Sequence, residues 1–266
     1  MRLDYGTQLS PVPITLSIGT LRKPTLKEIS VLTFDRFSYY EFFLKITPET
    51  YYTKIKKDDG EDYWNSLTEE QKEKMVVYDI IQSDTQIEKI YLEIFNFFFI
   101  ETVIYQEGFF IILKNKVDDL HDIKREQIRG AISRDNFPQV ISLMQQICCI
   151  YNEEESLDDM KFKNNLAKKL MEKMLKAKKK EQEAKKTDLN LTIPNIISSL
   201  ANKHPSLNYI NIWDLTIFQL LDAFNRIQAN SMYDIDSTRV SVWGDEKKTF
   251  DVSLWYKNNY DKNSQP

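Results

Sequence analysis

Apolar positions recur along most of this 266-residue chain at helical spacing, and only briefly at the spacing of a strand. The opening is the extended exception. Pro11-Val12-Pro13 forbids a helix, and Ile14, Leu16 and Ile18 alternate with Thr15, Ser17 and Gly19. A helix is then predicted from Thr25, where Glu28 three residues on completes a capping box; Leu26, Ile29, Leu32 and Phe37 supply its apolar contacts. Thr47-Pro48 marks a further helix start, and Thr68-Glu69-Glu70-Gln71 a second capping box. Lys56-Lys57-Asp58-Asp59-Gly60 between them reads as an exposed turn.

Ser83 with Gln86 opens the next helix, whose stripe is Ile87, Ile90, Tyr91, Ile94, Phe95 and Phe98. That spacing is the mark of core. Gln106-Glu107-Gly108 separates Thr102–Tyr105 from Phe109–Leu113, which predicts a β-hairpin. Ile123 to Asn136 reads as a short helix and Val140 to Tyr151 as another, with Pro138 between them. A helix through Ala201 takes Pro194 in its first turn, and Asn202-Lys203-His204-Pro205 ends it. In the last quarter, Asn211 to Ile227 carries Ile212, Leu215, Phe218, Leu220, Leu221, Phe224 and Ile227 around most of its circumference. This predicts the central helix of a C-terminal part, with the chain from Arg239 docking on it as short strands or irregular segments.

Between the two apolar regions runs Lys161 to Lys186, with eleven lysines against three glutamates and no glycine, proline or β-branched residue. Such a composition favours helix. Phe162, Leu166, Leu170, Met174 and Ala177 line one face of its first half; from Lys178 onward the apolar face is gone. Asn152-Glu153-Glu154-Glu155-Ser156 is the expected hinge before it. The expected architecture is therefore mainly α with a small β-hairpin: an N-terminal helical domain over residues 1–157, a lysine-rich linking helix over 158–190, and a C-terminal helical domain over 191–266.

Composition narrows the function classes. Six glycines in 266 residues disfavour phosphate-cradling loops, and neither a P-loop nor a G-x-G-x-x-G motif occurs. Histidine is limited to His121 and His204, neither with a second His or Cys at ligand spacing, which argues against zinc or a Ser-His-Asp site. Asp234-Ile235-Asp236 has no glycine-bent loop around it and reads as a solvated turn, as do Asp118-Asp119 and Asp158-Asp159. Cys148 and Cys149 are adjacent, point about 100° apart on a helix and read as core thiols of a reducing compartment. No metal, no cofactor and no catalysis are expected. The net charge is −4, and the lysine run lacks Arg and any aromatic after Phe162, so nucleic-acid binding is disfavoured. The most apolar window, Tyr91 to Leu113, is broken by Glu93, Glu101 and Glu107 and cannot span a bilayer as a helix. What remains is contact with proteins, for which Lys178, Lys179, Lys180, Trp213, Trp243 and Trp255 are the candidate residues.

Several segments together resemble tail assembly chaperone-type proteins of long-tailed bacteriophages. The resemblance is carried by Leu21-Arg22-Lys23-Pro24-Thr25-Leu26-Lys27-Glu28-Ile29 leading into an aromatic helix, and by the helix–hairpin–helix block around Val103 to Asn136. It continues with the run ending Lys178-Lys179-Lys180, then Ile196-Ile197-Ser198-Ser199-Leu200 and Asn211-Ile212-Trp213-Asp214-Leu215-Thr216. It implies a mainly helical, non-enzymatic protein of the host cytoplasm that binds a tape measure or tail-tube protein during morphogenesis, with self-association left open. In that family the long form can coat the tape measure while the short end recruits tube subunits. A structural virion component (a connector or baseplate protein) and a nucleic-acid-binding regulator stay open as alternatives.

Overall fold

Local side-chain chemistry starts most of the helices. The structure, a computed structural model, describes residues 2–56, 59–114, 125–150, 189–246, 248–258 and 260. Asp4 accepts from the Thr7 amide at 2.8 Å and opens α1 (Tyr5–Leu9), so the chain before Pro11 is helical where an extended run was expected. Ile14–Thr15 (β1) and Thr20–Leu21 (β2) then pair antiparallel, Ile14 opposite Leu21. The alternation read as one strand through Ile18 is thus a tight hairpin, closed by the Leu16 amide on the Gly19 carbonyl at 2.8 Å.

Both predicted capping boxes form. Thr25 and Glu28 exchange bonds at the start of α2 (Leu26–Leu32), and Thr68 and Gln71 do so at the start of α6 (Glu69–Lys74). Between them lie α3 (Phe34–Leu44), α4 (Pro48–Thr50) with a π-helical turn Tyr51–Ile55, and α5 (Gly60–Ser66). After α7 (Val77–Ser83), Asp84 rather than Ser83 caps α8 (Thr85–Phe98), accepting from the Gln86 amide at 2.8 Å. Along α8 the predicted stripe is buried at Ile87, Tyr91, Ile94, Phe95 and Phe98, while Ile90 is half-buried.

The hairpin of β3 (Val103–Gln106) and β4 (Phe109–Leu113) is extended by a third strand, β5 (Ile128–Ile132), in the order β3-β4-β5. This corrects the helix expected over Ile123 to Asn136. Ile128-Arg129-Gly130-Ala131-Ile132 has no clear alternation, and its strand state comes from pairing with β4, a non-local partner. Gly130 is required there: a Cβ would lie 2.6 Å from the Ile18 Cα. Asn136 then closes the turn into α9 (Phe137–Ile147), accepting from the Ser133 amide at 2.8 Å and donating to the Ala131 carbonyl at 3.0 Å. α8, α9 and the sheet share an aromatic core. The Phe95 ring meets Phe110 at 4.7 Å, and Phe137 meets Tyr78 at 5.3 Å and Tyr91 at 5.5 Å. Cys148 is buried and Cys149 half-buried, with no disulfide between them; burial pushes the Cys148 thiol well above the ordinary thiol range.

Contacts divide the chain into two units. The first comprises Met1–Cys149 with Trp213–Gln219 and Asn258–Pro266; the second comprises Ile150–Ile212 and Leu220–Lys257. In the first, the Leu26 amide donates to the Leu215 carbonyl at 2.8 Å and the Gln219 side-chain amide to the Leu9 carbonyl at 2.7 Å. Tyr260 stacks on Tyr5 at 5.5 Å, meets Phe218 edge-on at 5.6 Å and donates to the Leu3 carbonyl at 2.7 Å. The second unit holds α10 (Ile193–Lys203), with Pro194 in its first turn and Ile196, Ile197 and Leu200 buried.

α11 (Ile217–Trp243) departs most from expectation. It begins at Ile217 rather than Asn211, with Ile212–Asp214 forming a 3-10 turn, and it continues far beyond Ile227. Asp234-Ile235-Asp236 is part of this helix and not a turn. Ile217, Phe218 and Leu220 are buried, whereas Leu221, Phe224 and Ile227 are half-buried, so the burial expected along the whole helix is concentrated at its start. The lysine-rich linking segment, Lys178, Lys179 and Lys180 included, and the hinge at Asn152–Ser156 lie outside the described residues. Among those described, the fold is mainly α with two small antiparallel sheets.

Candidate functional site

A capping box at Thr216 and Gln219 starts α11: the Thr216 amide donates to Gln219 Oε1 at 2.9 Å, and the Gln219 amide to Thr216 Oγ1 at 3.3 Å. The other end stops at Gly244, whose φ of 75° is left-handed and whose amide returns to the Val240 carbonyl at 2.8 Å. Between the caps the polar residues stay within the helix by bonding backward. Ser231, Thr238 and Ser241 hydroxyls donate to the carbonyls of Ile227, Asp234 and Ser237 at 2.8, 2.7 and 2.8 Å.

This helix carries an apolar stripe on its outside. Met232 is 59% exposed, Ile235 69%, Val242 64% and Trp243 77%. The steps from Met232 to Ile235, Arg239 and Val242 are three, four and three residues, so with Trp243 they share one face about 100° wide. Large side chains in such a row on an outer helix face mark a docking surface far more often than isolated exposed residues do. Arg239 interrupts the stripe and pairs with Asp236 at 3.3 Å. Asp234, Ile235, Thr238, Arg239 and Trp243 line a shallow, open depression along it.

The chain after α11 is held by its own carboxylates. Asp245 accepts from the Phe250 and Thr249 amides, each at 2.9 Å, and these bonds hold its carboxyl below the usual carboxylate range. Phe250 packs on Tyr233 at 5.5 Å, and Arg226 donates to the Lys257 carbonyl at 2.8 Å. Trp255, 51% exposed, meets the Tyr256 ring edge-on at 5.0 Å.

The candidate residues from the sequence therefore part company. Trp243 lies in the stripe, and Trp255 is exposed on the returning segment without a ring contact to Trp243 among the described residues. Trp213 sits half-buried in the 3-10 turn and clusters with the first unit. Met232, Ile235 and Val242, which share the stripe with Trp243, are not among those candidates. Their heptad-like spacing was present in the sequence, but the reading of Asp234-Ile235-Asp236 as a turn cut across it.

Reactive chemistry is sparse among the described residues. Among the described residues no group of three or more His, Cys, Asp or Glu could hold a metal ion, and no helix is long and apolar enough to cross a membrane. His204 Nδ1 accepts from the Leu207 amide at 3.2 Å in the turn after α10. Two buried ionisable groups of the first unit bond to backbone: Lys23 donates to the Thr7 and Ser10 carbonyls, and the Tyr91 hydroxyl donates to the Phe43 carbonyl at 2.8 Å.

Residues 178–260 match a family described as YomV second domain. That family is phage-derived. The match covers α10, α11 and the returning segment, and so includes the whole exposed stripe. No curated protein and no solved structure matches the chain.

Proposed function

We propose that this chain is a phage-encoded assembly factor of the tail assembly chaperone kind. It acts without catalysis, by reversible contact with a helical tail protein, the tape measure or the tube subunit, in the host cytoplasm. One observation carries this reading. The phage-related segment presents Met232, Ile235, Val242 and Trp243 as an exposed row on a capped helix. A row of that width fits the groove or apolar face of another amphipathic helix. A factor that shields an aggregation-prone partner needs such a surface, with polar side chains on either side of it to keep it in solution.

Calorimetry of the full chain against purified tape measure and tube proteins tests the reading. Contact by apolar burial has a negative heat-capacity change and weak salt dependence. If instead the chain bound duplex DNA, losing about 10³-fold or more in affinity between low and moderate salt, and bound neither tail protein, the chaperone reading would be wrong and a nucleic-acid role correct.

A further inference from the structure

Within the α11 stripe one row of positions follows the spacing of a helix–helix seam, and its composition points to a specific partner. Gln228, Met232, Ile235, Arg239 and Val242 follow the four-three-four-three spacing of a coiled-coil seam. A cation in the middle of the seam, with acids flanking it, constrains what can lie against it. A parallel second copy in register would place Arg239 against its own counterpart, two like charges in a desolvated contact. An antiparallel second copy, related by a two-fold at the level of Ser237, removes that conflict. Met232 then faces the partner's Val242, and Ile235 lies along the aliphatic stem of the partner's Arg239. Asp236 lies 3.3 Å from Arg239 within one chain. A two-fold at Ser237 sets the second copy's Asp236 at the level of Thr238, one residue from Arg239 along the axis, so that the carboxylates of both copies stand beside each guanidinium. The surface is therefore self-complementary in one orientation, as a two-fold interface must be.

We infer that the C-terminal half of α11 pairs antiparallel with the same helix of a second copy, so that the protein is stored as a dimer whose docking stripe is covered until a tail protein displaces the partner copy. The inference rests on the reading of this stripe as the docking surface. It adds a regulatory consequence: self-pairing and tail-protein binding are mutually exclusive.

Sedimentation equilibrium of the full chain tests it. The expected result is a concentration-dependent dimer. Ile235→Glu should leave only monomer. Arg239→Glu should raise the dimer dissociation constant at least about tenfold by setting acid against acid, and the exchanged pair Asp236→Arg with Arg239→Glu should recover most of that loss. The replaced side chains are exposed or half-exposed, so circular dichroism and melting of each variant should match the parent, separating lost pairing from lost folding. A chain that stays monomeric, a dimer indifferent to Ile235→Glu, or an exchanged pair as weak as Arg239→Glu alone would overturn the inference. The same samples titrated with tail protein separate the two claims. A monomer that binds tail protein through α11 refutes only the dimer, and a dimer that binds neither tail protein refutes only the chaperone reading.

Discussion

Replacing Phe95 by Ala should be among the most damaging single changes in this protein. The Phe95 side chain is fully buried on α8, and its ring is 4.7 Å from Phe110, 6.0 Å from Tyr91, 6.3 Å from Phe137 and 6.4 Å from Phe99. Deleting a buried phenyl ring costs about 3–5 kcal/mol through lost transfer energy and the cavity left behind. The aromatic pairs would each add about 0.5–1.5 kcal/mol if independent, but they share one ring, so the loss belongs in the upper half of that range. At about 2–4 °C per kcal/mol for a chain of this size, melting should fall by roughly 10 °C or more. Phe224→Ala is the internal control. Phe224 is half-buried on α11, and its loss should cost only about 1–2 kcal/mol. Urea titration followed by circular dichroism and tyrosine fluorescence measures both. The placement of the core is wrong if Phe95→Ala is indistinguishable from the parent, or if Phe224→Ala costs as much as Phe95→Ala.

Two further changes probe specific contacts. Gly130→Ala forces a methyl to within 2.6 Å of the Ile18 backbone, so β5 or the β1–β2 turn must shift; a loss of about 1–3 kcal/mol in the same titration is expected, and an unchanged midpoint would mean that the close approach is absent. Asp79 accepts from Arg134 at 2.7 and 3.1 Å, chiefly through which its carboxyl is held below the usual range. The small stability this adds is present above the unfolded value of about 3.9 and is lost as pH falls through the lowered folded value. The melting gap between the parent and Arg134→Ala should therefore close on acidification, and a gap that widened would contradict the assignment.

Where structure is dictated by neighbours in sequence, the sequence announces it. Thr25 with Glu28 and Thr68 with Gln71 need only three residues to satisfy two backbone donors, and the α8 stripe reports its own burial. The Thr216–Gln219 box is equally local, but the apolar run begins before it, at Ile212. β5 was not legible because its partner β4 and the Ile18 backbone behind Gly130 lie far away along the chain. Nor was the anchoring of Tyr260 on Tyr5 and Phe218, which depends on the two ends of the sequence meeting. The stripe on α11 was half legible. Its spacing stands in the sequence, but Asp234 to Ser241 is rich in Asp, Ser and Thr, which favour caps and turns, and its exposure is a property of the folded chain. Trp243 sits in that row, whereas Trp213, the same residue type, sits in a half-buried turn.

Hydrogen exchange of the full chain, dilute and free and then bound to the tape measure or tube protein, tests the docking claim most directly. The account predicts slowed exchange across residues 228–243 on binding, with both the complex and the protection abolished by Ile235→Glu. A complex that forms while this stretch exchanges as it does in the free chain would contradict it.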